Sequence, residues 1–366
     1  MLFQLGIIGL LLALIPLTYV MVRGSRDRYR KLVWITTFLT LDLIMFGSFT
    51  RLTDSGLGCP DWPGCYGRAT PFHASEAIRA AEALMPTGPV TMAKAWIEML
   101  HRYFAMAVGV LLITLAFLAW RKRKELRQPP WLATGLLVLV CVQGAFGAWT
   151  VTMKLQPIIV GTHLMLAMLL LSGLIWLGSR NDRPRQHDPG SGKLYLPALI
   201  GTALLVIQIA LGGWVSTNYA VLACTDFPLC NGELVPRMDF QHGFTLWREL
   251  GKTAAGDYIP REALVAIHWV HRMFAFVVLA YLGWFAMRAR RYPALGRSPR
   301  LLLLFLGLQL LTGLSNIVLD WPLVAAVAHN GGAAVLLLLM VRLVYNTRLA
   351  RQSATVPIPA VSAART

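Results

Sequence analysis

Nine stretches of this 366-residue chain are long and apolar enough to cross a bilayer, near 2–22, 32–50, 98–120, 131–150, 158–178, 195–216, 263–287, 300–319 and 323–345. A span needs roughly 20 mostly apolar residues. In lipid every backbone N–H and C=O must be satisfied within its own segment, so each span is a helix. Hydrophobic residues make up 56% of the chain and charged residues only 14%. The expected fold class is therefore all-α, a polytopic membrane protein. The first stretch lacks the basic start and cleavage site of a secretory signal, and it is read as a retained helix.

A net charge of +17 invites a nucleic-acid reading, but the distribution of that charge rejects it. Of the 34 Lys and Arg, 23 crowd into alternate short segments. These hold Arg23, Arg26, Arg28, Arg30 and Lys31; Arg121 to Lys124 with Arg127; Arg180, Arg183, Arg185 and Lys193; Arg288, Arg290, Arg291, Arg297 and Arg300; and Arg342, Arg348, Arg351 and Arg365 at the end. Positive loops stay cytoplasmic. The expected topology has the N-terminus outside, the C-terminus inside, and loops 51–97, 151–157, 217–262 and 320–322 facing out. The Pro/Ala/Ser-rich end, within a cytoplasmic tail at 347–366, is expected to be disordered.

The chain is also duplicated. Residues 47–67 align without a gap on 212–232, and in each copy an apolar helix runs into a loop with two cysteines six positions apart: Cys59 and Cys65, then Cys224 and Cys230. An oxidising compartment permits a disulfide in each loop. A zinc site shared by four thiolates is the rival reading. Cys141 lies inside a span and is read as a small buried apolar residue.

Histidines follow the same register, with His101 matched by His271 and His163 by His329. Polar groups inside membranes are costly and usually functional. Neutral imidazole is the usual axial ligand of b-type haem, and two histidines on facing helices of a four-helix bundle can clamp one. The repeat thus suggests one haem site from His101 and His163 and another from His271 and His329, against the alternative of buried core histidines. Arg102 and Arg272 each follow a histidine, placed to meet a haem propionate or to snorkel to headgroups. Gln143, Gln208 and Gln309 each precede a glycine by four, on one helix face, for close helix packing or for a flat cofactor. Asp42 sits in mid-span, opposite Ile207 in the repeat.

The two copies differ where chemistry would show. Glu98 precedes His101 by three and shares its helix face, whereas the second half has His268 in that place. A carboxylate beside a haem suits proton transfer or charge stabilisation. The alternative is an acid favoured by the helix N-terminus.

The run Thr50 to Cys65, with Glu98, His101, Arg102, His163, His271, Arg272 and His329, resembles the haem A synthase family over roughly 32–346. The resemblance implies two pseudo-symmetric four-helix bundles, at 32–180 for the substrate and 194–346 for haem b, with 1–31 as an extra helix and basic loop. It implies an oxidoreductase of the bacterial inner membrane that converts the C8 methyl of haem O to a formyl by two hydroxylations and loss of water. His101 and His163 would flank haem O, Glu98 would be the catalytic carboxylate, and His271 and His329 would bind haem b. Cys59 and Cys65 match a pair found in many bacterial members. Haem O synthase would act upstream and an aa3-type cytochrome oxidase downstream. The 2–22 helix and His268, a possible extra ligand, depart from the pattern. The rival functions are a bis-histidine dihaem cytochrome that shuttles electrons and a haem carrier.

Overall fold

The computed structural model describes residues 1–22, 27–126, 128–182 and 188–354. Arg23, Arg26, Arg127, Arg183, Arg185 and Arg365, with residues 355–366 of the expected tail, lie outside the described residues. Among those described the chain is all-helical, and nine helices are long and apolar enough to span a membrane. The spanning helices are α1 (Leu2–Val22), α2 (Arg28–Leu52), α4 (Met92–Arg121), α5 (Trp131–Thr152), α6 (Pro157–Asn181), α7 (Tyr195–Thr217), α9 (Arg261–Ala289), α10 (Ser298–Val318) and α11 (Leu323–Ala354). Two short helices, α3 (Ser75–Leu84) and α8 (Phe240–Gly243), sit in the long loops. Residues 347–354, expected to be disordered, instead complete the last helix. Cys141 is exposed rather than buried, because α5 packs through only a few residues and leaves the rest of its surface free.

The spanning helices form two rings. In the first, α2 meets α4, α4 meets α5, α5 meets α6 and α6 returns to α2; α7, α9, α10 and α11 repeat the pattern. The halves join where α2 meets α11 and where α6 meets α7 and α11. On the cysteine-loop side a clasp ties them: Arg51 donates to the Ser216 carbonyl at 2.6 Å and lies 3.9 Å from the Tyr219 ring, whose hydroxyl bonds Asp54 at 2.6 Å. Asp54 and Tyr219 are equivalent positions of the repeat, so their contact lies close to the axis relating the halves. On the basic side Trp34 of α2 donates to Asp182 at 3.0 Å, and Arg342 of α11 pairs with the same carboxylate at 3.5 Å.

Helix α1 lies outside both rings, against α4 and α2. Small residues let it come close: Ala13 is fully buried, and a Cβ on Gly9 would sit 2.8 Å from Cβ of Met106. Leu5 joins the cluster that holds Cys59, Cys65 and Met99. The added helix thus braces the face of α4 and the first cysteine loop. Gly9→Val should cost about 1–3 kcal/mol of stability through overpacking and lower the melting temperature of the purified protein. Gly6→Val, where a Cβ meets nothing within 4 Å, should not; equal melting of the two variants would contradict this packing.

Candidate functional site

Each of the four repeated histidines faces a glycine on the helix before it. A Cβ on Gly47 or Gly212 would lie 2.9 Å from Cε1 of His101 or His271. On Gly147 or Gly313 it would lie 3.3 or 3.2 Å from Cε1 of His163 or His329. The glycines on these faces therefore make room for imidazoles. The structure also reveals a finer repeat than the twofold one: four helix pairs, α2–α4, α5–α6, α7–α9 and α10–α11, each setting one histidine against one glycine.

The glutamines one turn before three of these glycines reach the partner helix. The side-chain amide of Gln143 donates to the carbonyl of His163 at 2.9 Å, Gln208 to that of His271 at 3.2 Å and Gln309 to that of His329 at 2.8 Å. The rings divide by half. In the second half Nδ1 of His271 lies 3.1 Å from the Gln208 amide nitrogen, and Nδ1 of His329 lies 3.0 Å from the Thr312 hydroxyl. In the first half Nδ1 of His101 and of His163 is buried without a partner. Phe46 and Phe146 stand at the positions equivalent to Thr312 in the first half's two glycine-bearing helices, and the Phe46 ring lies 6.0 Å from that of His101. An outer partner normally orients a ligating imidazole. The second pair has such partners at Nδ1; in the first half the one ring neighbour is the Gln143 amide, 3.4 Å from Nε2 of His163.

A cysteine loop closes over each site. Cys59 and Cys65 form one disulfide, Cys224 and Cys230 the other, each within its own loop, which leaves no four-thiolate zinc site. Inside the loops Asp61 accepts the backbone N–H of Tyr66 and Gly67 at 2.6 and 2.7 Å, and Asp226 those of Asn231 and Gly232 at 2.5 and 2.9 Å. The alignment carried this signal, since both aspartates stand two positions after the first cysteine. The Gly232 amide, joined by that of Asn231, outweighs the opposing effect of desolvation and holds the Asp226 carboxyl below the usual carboxylate range.

From beneath, Arg102 donates to the carbonyls of Asp61 and Gly64 at 2.9 and 2.7 Å, while Arg272 does the same to Asp226 and Leu229 at 2.8 and 3.1 Å. Neither arginine snorkels; both pin a loop. Glu98, 4% exposed, completes the first clamp by bonding Arg102 and accepting the Cys59 N–H at 2.8 Å. Helix α4 begins at Met92, so Glu98 lies beyond the first turn, where the macrodipole acts. His268 fills the same place in the second clamp, with Nδ1 3.4 Å from the Cys224 N–H and Nε2 3.2 Å from Arg272. A neutral imidazole accepts at only one nitrogen, so it replaces the carboxylate incompletely. His268 thus joins the clamp, and it also lines the cleft of His271 and His329.

These side chains suit an iron porphyrin. His271 and His329 line one cleft with Gly212, Gly313, Met168 and Phe276, enclosing about 1500 Å³ with its open mouth. Its walls are mostly apolar. In the first half, two buried imidazoles with orphaned nitrogens present polar atoms whose burial alone is costly. Asp42 is exposed on α2, as Ile207 is on α7, and neither belongs to this arrangement.

The fold and site define a polytopic helical membrane protein with two related rings, each carrying a pair of inward histidines beneath a disulfide-closed loop. The chain belongs to the cytochrome oxidase assembly protein family (COX15-CtaA), whose model matches residues 30–341 and so begins after α1. It is 39% identical over 321 residues to a protein of Shewanella oneidensis named "Heme A synthase", covering 86% of this chain and 96% of that one. Proteins of the same name from Methylobacterium sp. and Methylobacterium radiotolerans are 30% and 29% identical, over 89% and 84% of this chain and 95% and 88% of theirs.

The Arg102 clamp generates a direct expectation. Removing charge-assisted bonds worth about 1.5–3 kcal/mol each in Arg102→Ala should loosen the first loop, so that Cys59 and Cys65 are reduced by dithiothreitol and alkylated at least roughly tenfold faster than in the unaltered protein. An unchanged rate would show that the guanidinium does not hold the loop.

Proposed function

We propose that this chain is a haem A synthase, taking haem O as substrate between His101 and His163 and holding a resident haem b between His271 and His329. The observation that carries the reading is the asymmetry of the halves. The second pair is fixed at both carbonyl and ring, as a permanent ligand set requires. The first pair has an unpartnered Nδ1 on each ring and a carboxylate one helical turn from His101, as a site of turnover requires.

The reaction converts the C8 methyl of haem O to a hydroxymethyl, then to a hydrated aldehyde, which loses water to leave the formyl. Each of the two hydroxylations removes two electrons and two protons with water as the oxygen source. Bound haem b supplies a one-electron relay toward an external acceptor. The chain's own residues do the rest. His101 and His163 fix the substrate by its iron, and Glu98, oriented by Arg102 and the Cys59 amide, takes the proton of the attacking water or balances positive charge at the methyl. Arg102 and Arg272 act through the loops, as positioning residues, before any contact with propionates.

The reading extends to context. With the basic segments cytoplasmic, the protein lies in a bacterial inner membrane with its N-terminus and cysteine loops outside and its C-terminus inside. A prenylating haem O synthase supplies the substrate, and an aa3-type cytochrome oxidase consumes the product. An electron-shuttling dihaem cytochrome would explain the histidines but gives no reason for Glu98 in one half alone.

Pigment extracted from purified protein should contain haem b together with haem O or haem A. Haem b alone would leave only the shuttle, and a colourless protein would defeat both. Glu98→Gln should lower turnover by roughly 10²–10⁴-fold and accumulate haem O or the hydroxymethyl product. Normal haem A output from that variant would remove the role assigned to the carboxylate.

A further inference from the structure

The α2–α4 pair lacks the device shared by the other three. One turn before Gly47, where Gln143, Gln208 and Gln309 stand in the other pairs, the chain has Leu43. Leu43 packs into the apolar core of the first half and offers no donor. The carbonyl of His101 therefore receives no cross-helix amide, although Gly47 faces its ring as closely as Gly212 faces His271. His101 is thus the least restrained of the four histidines: neither its backbone nor its Nδ1 is held from a neighbouring helix. His163, on the opposite side of the same ring, keeps the Gln143 bond to its carbonyl.

We infer that Leu43 makes His101 the displaceable ligand of the substrate site, so that iron at that site opens on the His101 side while His163 stays attached. This rests on the reading of His101 and His163 as ligands to haem O. Release breaks one iron–nitrogen bond and moves no electron or proton. Both rings have an unpaired Nδ1, but Gln143 reaches His163 at its carbonyl and lies 3.4 Å from its Nε2, and Leu43 offers His101 neither contact. Between α2 and α4 at this level the Phe46 ring meets that of Phe104 edge-on.

Carbon monoxide tests this without turnover. It binds reduced haem only where an axial position is open, so its binding rate follows the open fraction of the site. In the purified, dithionite-reduced full chain carrying both haems, carbon monoxide should react with haem O and much more slowly with haem b. Leu43→Gln, which restores the amide, should slow the haem O reaction roughly threefold, the worth of an average cross-helix hydrogen bond in a membrane. Leu43→Met, similar in size without a donor, should leave it unchanged. Gln208→Leu should speed the haem b reaction by a similar factor. Equal rates in Leu43→Gln and Leu43→Met, or a haem O that refuses carbon monoxide in the unaltered protein, would overturn the inference. Failure of the underlying reading looks different: His101→Ala and His163→Ala would then leave the low-spin haem O spectrum intact.

Discussion

The approach of an imidazole to a glycine on the preceding helix is the constraint on which this structure depends. It occurs four times, and at each point an ordinary Cβ would lie about 3 Å from the ring. Membrane helices gain little from hydrophobic association and pack through small residues that let backbones approach. Here that rule is used to seat a polar ring rather than to bring two backbones together. The rings then sit at matched depths in both halves, because the four helix pairs share the same register. A bulky residue at any of these glycines would move a histidine rather than a filler side chain.

The halves diverge through a few substitutions on this common frame. Gln208 and Thr312 hold the rings of the second pair, while Phe46 and Phe146 occupy the Thr312-equivalent positions in the first half. Beneath the loops, Arg102 and Arg272 make the same two carbonyl contacts, so the clamp is common property. What changes is its third member, Glu98 or His268. A carboxylate accepts from the cysteine amide and the guanidinium together, and an imidazole does so only in part. Duplication thus supplied two equivalent sites, and small local changes gave one a restrained ligand set and the other a charged neighbour.

Much of this was legible in the sequence. The spans followed from apolar length, and their register from the cysteine loops and histidines. Three glutamine–glycine pairs were visible, but their purpose was not, because the partner of each amide is a backbone carbonyl and carbonyls leave no mark on a sequence. For the same reason the loop carbonyls that Arg102 and Arg272 hold left no mark beside the propionates or headgroups that their positions suggest. Asp61 and Asp226 recur in both copies, and their role shows only once the loops close on them. Leu43 stands opposite Gln208 in the repeat, but an apolar residue in a span is ordinary until the glutamines are seen to bond across helices. Cys141 is exposed against expectation because periodicity in an all-apolar helix does not say which face meets protein.

The pairing of the histidines is tested most directly by electron paramagnetic resonance of the oxidised protein, with each of the four replaced singly by alanine. The account predicts two low-spin signals in the unaltered protein, one lost on replacing either His101 or His163 and the other on replacing either His271 or His329. A signal that survives both members of a pair, or a loss that crosses from one half to the other, would contradict it.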